Sequence, residues 1–131
     1  MGVSNYLSTA LLNMVFRNTA YTRPTTVYVA LYTSNPTAAD TGQEVTGGAY
    51  VRQSVAFAAP AAVGGVQTVK NSADIVFPIA TANWGLVTHV GIRDAATGGN
   101  LLYFGELDNA RTILTSDVFK FLASQLQATL S

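Results

Sequence analysis

The chain has 131 residues, of which 49% are hydrophobic and only 11% charged, and its seven basic and seven acidic side chains cancel to zero formal charge. That length suits one domain with its own core, and so small an electrostatic footprint argues against nucleic-acid or anionic-membrane partners. The absence of cysteine excludes a disulfide framework, a thiolate zinc site and a thiol nucleophile.

No basic start followed by an apolar run marks a secretory leader, and no apolar run approaches the length of a membrane span. Ser4 or Asn5 can cap a helix that begins there. Tyr6, Leu7, Ala10, Leu11, Met14 and Val15 recur at helical spacing and give it one apolar face. Leu12 and Phe16 widen that face, so the helix is expected to be covered on more than one side. Arg17 and Asn18 end it, and Pro24 fixes an extended approach to the first long strand.

The remainder reads as β. Thr26–Thr33 is a buried strand rich in β-branched and aromatic residues, followed by a loop from Ser34 to Gly48. In "AYVRQSVAFA", Val51, Val55 and Phe57 alternate against Arg52, Ser54 and Ala56, with Gln53 breaking the apolar face. Ala59–Val66 reads as a second loop. "SADIVFPIA" is a short strand that Pro78 ends or places at an edge.

A hairpin comes next, Leu86–Arg93 against Asn100–Leu107, turning at Gly98 and Gly99 where φ > 0 carries no steric cost. "DVFKFLASQLQATL" closes the chain as a long strand with a change of phase near Ala123–Ser124, a bulge or a bend. No helices alternate with the strands. The expectation is one domain over residues 1–131, mainly β. An N-terminal helical segment, 1–20, precedes an antiparallel β-sandwich or jelly-roll-like fold of about seven or eight strands over 26–131.

Chemistry is sparse. His89 is the one histidine, and Asp94 lies five residues away, beyond the expected strand end. No G-x-S-x-G elbow presents a nucleophile. The carboxylates are five Asp and two Glu, and all but Glu106 fall in or beside turns. Asp40 and Glu44 lack calcium-loop spacing, and the Gly-Gly pairs lack a phosphate-loop context. No catalytic, cofactor-binding or metal-ligating residue is expected, and the chain is not expected to be an enzyme.

Arg17, Arg23, Arg52, Lys70, Arg93, Arg111 and Lys120 are scattered rather than striped, so no nucleic-acid surface is expected. Arg52 and Arg93 fit interface anchors, although a local ion pair is the commoner use of such a residue. Trp84 fits the rim of a sandwich core first, a subunit contact second and a sugar platform third. The candidate interface is therefore Tyr6, Leu7, Leu11, Phe16, Arg23, Tyr50, Arg52, Trp84 and Arg93, with the loops Ser34–Gly48 and Ala59–Val66. A neutral, charge-poor surface favours self-association.

Four stretches carry a resemblance: "SNYLSTALLNMVFRNTAYTRPTTVYVALYTSNPT", "EVTGGAYVRQSVAF", "NSADIVFPIATANWGLVTHVGIRDAATGGNLLYFGEL" and "DVFKFLASQLQATL". In this order, over nearly the whole chain, they resemble a family of small tailed-bacteriophage structural proteins commonly labelled tail-fibre-like. The resemblance implies a virion component made in the host cytoplasm, with no catalytic or cofactor residues to carry over. The compact, unrepeated length points to a capsid decoration, or cement, protein. Such a protein would be a homotrimer on the outer face of the major capsid shell, stabilising it by binding the assembled form. The alternative is a tail or tail-fibre-associated protein that meets tail proteins and the host surface.

Overall fold

The computed structural model describes residues 1–131, which form ten strands and one helix. In chain order these are β1 (Gly2–Val3), α1 (Asn5–Arg17), β2 (Val27–Tyr32), β3 (Gln53–Val55), β4 (Ala61–Val63) and β5 (Val66–Lys70). Then come β6 (Ile75–Val76), β7 (Gly85–Arg93), β8 (Leu101–Ile113), β9 (Lys120–Phe121) and β10 (Gln127–Leu130). All pairings are antiparallel, in sheets ordered β1-β8-β7-β2-β3, β10-β5-β4 and β6-β9. The protein is thus a mainly β, antiparallel sandwich with one helix near its N-terminus, with more strands than the expected seven or eight.

The main core lies between β2, β7 and β8 on one side and β6 and β9 on the other. Val29, Leu31, Val87, Val90 and Ile113 meet Ile75, Phe77, Phe119 and Phe121 there. Burying each such side chain stabilises the fold by about 1.5–3 kcal/mol before entropy is counted. The aromatic rings run in sequence: Tyr50 stacks on Phe77 at 6.1 Å, Phe77 meets Phe119 edge-on at 5.9 Å, and Phe119 meets Phe121 at 5.2 Å.

Four sequence expectations are corrected. Ala59–Val66, expected as a loop, holds β4 and the start of β5, a hairpin that turns at Gly64 and Gly65 with φ of 59° and 82°. The strand expected over 49–58 shrinks to three residues, and Val51 is exposed. The return arm of the long hairpin continues past Leu107 to Ile113. The closing strand is broken: β9 joins one sheet and β10 another, with Ser124 between them at φ 67°.

Buried Asn71 explains that break. Its side-chain oxygen accepts the Leu126 N–H at 2.8 Å, and its amide nitrogen donates to Leu122 O at 3.0 Å and Ala73 O at 2.8 Å. Its backbone takes the Ser124 N–H and donates to Leu126 O. One polar side chain therefore satisfies the backbone of a corner that leaves the sheet, as buried backbone groups require.

The helix begins and ends where its sequence predicts. Ser4 is buried and its side chain accepts the Leu7 N–H at 3.1 Å. Asn18 stops the helix in the left-handed region at φ 51°, and Thr19 N–H closes on Asn13 O. Its packing departs from expectation. No residue of α1 is buried, so within one chain the helix is covered on at most one side.

Candidate functional site

Two arginines organise the loops at one end of the sandwich. Arg93, at the end of β7, is 7% exposed and uses every donor of its guanidinium. Nη1 reaches Tyr32 Oη at 3.0 Å and Asp40 Oδ1 at 2.8 Å; Nη2 reaches Asp40 Oδ2 at 2.9 Å and Gly99 O at 3.0 Å; Nε reaches Gly98 O at 3.3 Å. Such a fork-on-carboxylate pair is among the stronger hydrogen-bonded contacts. Arg52 repeats the scheme on Glu44, with Nε and Nη2 at 2.8 Å from its two oxygens and Nη1 at 2.8 Å from the carbonyls of Ala95 and Gly98.

Both guanidinium groups thus tie the 34–48 loop to the 94–100 turn. Each makes the local ion pair that is the commoner use of such a residue, and the hydrogen bonds it gives stay within the chain. Nothing in sequence spacing pairs Asp40 with Arg93, because the two come from opposite ends of separate elements.

Tyr50 and Trp84 complete this end. The Tyr50 hydroxyl donates to Glu44 Oε2 at 2.6 Å. Burial, and then the adjacent carboxylate, push its phenol far above the ordinary tyrosine value. The Trp84 indole N–H donates to Gly48 O at 2.9 Å, and its ring meets Tyr50 edge-on at 5.5 Å. Trp84 is buried and closes the end of the core. Tyr50 and Trp84 are accordingly internal supports rather than exposed contacts.

The helical candidates divide by face. Leu7 is half-buried and packs on the cluster of Ile92, Leu102 and Ala128, and Leu11 is half-buried too. Tyr6 is exposed, with its ring 6.4 Å from that of Tyr21 in the strap after the helix. Phe16 is 79% exposed, and beside it stand Val15 at 65% and Leu12 at 59%, two residues outside the expected set. Arg23 is exposed and makes no hydrogen bond within the chain. Sequence periodicity found the apolar helix but could not say which apolar residues the sheet would leave uncovered.

His89 Nδ1 lies 2.7 Å from Thr88 Oγ1. No cluster of three or more His, Cys, Asp or Glu side chains is arranged to hold a metal ion, and no helix is long and apolar enough to cross a membrane. The arrangement offers a rigid loop end and an apolar helix surface.

One family model matches residues 2–129, and its description is Podophage GP4 fiber I protein gp80. No curated protein matches the chain.

Proposed function

The chain belongs to the podophage GP4 fiber I protein gp80 family, and from that premise we propose that it is a fibre component which assembles with further copies of itself through α1. Membership makes it a phage structural protein of the virion, working in contact with other virion proteins. The single observation that carries the finer reading is the outer face of α1. Leu12, Val15 and Phe16 stand at i, i+3 and i+4 and are the most exposed large apolar residues of the helix.

An exposed apolar face on a capped helix calls for a cover. The segment from Asn5 to Phe16 holds no charged residue, so nothing on it selects a partner of opposite charge. A symmetry-related copy brings the same face and suffices. A helix of this length offers a strip on the order of 20 Å by 10 Å. That is well short of the roughly 800 Å² per partner of a stable pair. A ring in which every helix meets two neighbours uses more of the surface, and three copies make the smallest such ring. The role is structural and non-catalytic.

A second reading, capsid decoration on the outer shell, is favoured by one observation: the chain contains no fibrous or repeated stretch. Cryo-electron microscopy of virions carrying an epitope-tagged copy separates the two. Antibody density on the tail supports the fibre reading, and density confined to the capsid lattice overturns it.

A further inference from the structure

The C-terminal end of α1 overhangs the sheets. Every residue from Met14 to Ala20 is exposed. Successive helical residues stand about 100° apart. Leu12, Met14, Val15 and Phe16, all exposed, therefore spread over about 200° of the helix surface. An apolar stripe that faces one neighbour is roughly 100° wide. A contact between two helices thus leaves part of this apolar end uncovered.

A second uncovered apolar surface lies on the β10-β5-β4 sheet. Ala58–Gly65 is exposed throughout, and no side chain in it carries a polar group. Pro60 from this stretch, Val69 of β5 and Leu130 of β10 wall a cleft of about 230 Å³ whose accessible lining is almost all apolar. No charged residue lines it. Two of its hydroxyls are committed within the chain: Tyr103 donates to Thr129 O at 3.0 Å and Thr68 to Val66 O at 3.0 Å.

From these two surfaces we propose that the overhanging end of α1 in one copy docks in the Pro60–Val69–Leu130 cleft of the next, with Phe16, its most exposed apolar side chain, inserted. The inference rests on the reading that α1 joins copies of this chain, and it names the surface that receives the helix. The cleft is smaller than the roughly 300–1,000 Å³ of a small-molecule pocket and suits one large side chain. Without charge, and with those hydroxyls committed, it favours an apolar occupant over a polar or ionic one. A second copy matches it in number: each chain carries one such helix end and one such cleft. Head-to-tail repetition then covers every apolar end and fills every cleft, and it forms a ring where the rotation between copies closes. The stripe between helices alone falls well short of the roughly 800 Å² per partner of a stable pair, and the filled cleft adds to it.

The test uses two variants of the full chain and their mixture. Leu12→Gln with Phe16→Gln removes the apolar helix end and leaves the cleft. Leu130→Arg places a charge in the cleft and leaves the helix. Leu130 is 59% exposed, and Gln67→Arg, at an exposed position of the same lining, replaces this variant if it fails to fold. Each variant alone should reduce the assembled mass of the wild type, read by light scattering, to that of one chain. Titrating the isotope-labelled helix variant with unlabelled Leu130→Arg chain should move the amide signals of Ala61–Val69 and Thr129–Leu130, because an intact cleft then meets an intact helix. Unlabelled helix variant should move none of them, and the labelled spectrum itself reports that the chain is folded. A cleft variant that keeps the wild-type mass, or a mixture that leaves these signals in place, would overturn the docking proposal while self-assembly through α1 stands. A helix variant that keeps the wild-type mass, or a wild type that stays a single chain, would overturn both.

Discussion

The Tyr50 hydroxyl accepts the Leu31 N–H at 3.0 Å while donating to Glu44. Strand β3 pairs with β2 only as far as Val29, so Leu31 lies beyond the last rung. The loop takes over that edge: Val45 N–H donates to Leu31 O and Thr33 N–H to Gln43 O. Replacing Tyr50 with Phe keeps the ring on Phe77 but leaves a buried N–H without a partner. The expected loss is about 1–3 kcal/mol, read as a lower midpoint in urea with an unchanged slope.

Acid should weaken the same corner. Burial raises the Glu44 carboxyl, but hydrogen bonds from Arg52 and Tyr50 outweigh it and hold the group below its ordinary value. The folded state therefore binds this proton less readily than the unfolded chain. The stability it contributes is complete above the unfolded carboxyl's value, about 4.5, and is lost as pH falls through the lower, folded one. Melting curves from pH 7 to pH 3 should show this decline. Glu44→Gln should melt lower at pH 7 and show a shallower decline; an equal slope in both proteins would refute the assignment.

Arg93→Lys removes the fork that holds Asp40 and the carbonyls of Gly98 and Gly99 together. Lysine keeps the charge but cannot reproduce the bidentate geometry. A cost of about 2–4 kcal/mol is expected, with faster hydrogen exchange in the 34–48 loop and the 94–100 turn.

Gly48 is a tighter constraint than its loop position suggests. Its φ is +59°, and a Cβ there would sit 2.8 Å from Trp84 Nε1 and 2.9 Å from Ala82 O. Gly48→Ala should destabilise by about 1–3 kcal/mol. Trp84 is the lone tryptophan, so its fluorescence should shift to the red as the indole loses Gly48 O.

Helix variants should separate folding from assembly. Leu12→Gln with Phe16→Gln touches no buried residue, so monomer stability should change by no more than about 0.5 kcal/mol. Light scattering should show the assembled mass of the wild type falling to that of one chain. Persistence of the larger species would mean that another surface holds the copies together.

The fold class and the helix ends were legible because each has a local cause. Apolar spacing, a Ser4 cap and an Asn18 stop act within a few residues of where they stand. The Gly98–Gly99 turn was legible for the same reason, with φ of 60° and 69° in the structure. The β4–β5 hairpin was not: Ala61, Ala62 and Val63 are all exposed, so no alternation of burial marks them. The broken closing strand showed its phase change at Ser124, but its cause, Asn71, lies in another part of the chain.

The loop-end clamp was less legible still. Arg52 and Arg93 read from the sequence as interface anchors or, more commonly, members of a local ion pair, but their partners are set by tertiary placement, 53 residues apart for Arg93 and Asp40. The reading of Trp84 as a core-rim residue succeeded because a large ring at a strand start has few other places to go. Which helix residues stay uncovered depends on how far α1 overhangs the sheet, and no periodicity encodes that.

The pairing scheme also fixes an order of events. The β7–β8 hairpin closes on itself, but β6 waits for β9 and β5 waits for β10, with Ile75 opposite Phe121 and Lys70 opposite Gln127. A chain emerging from the ribosome therefore holds half a core open, with Ile75 and Phe77 unsheltered, until residues 117–130 have been made. Distant pairing of this kind slows folding and prolongs exposure to neighbouring nascent chains. Where many copies are translated at once from one message, timing becomes as much a constraint on this sequence as the stability of its finished form.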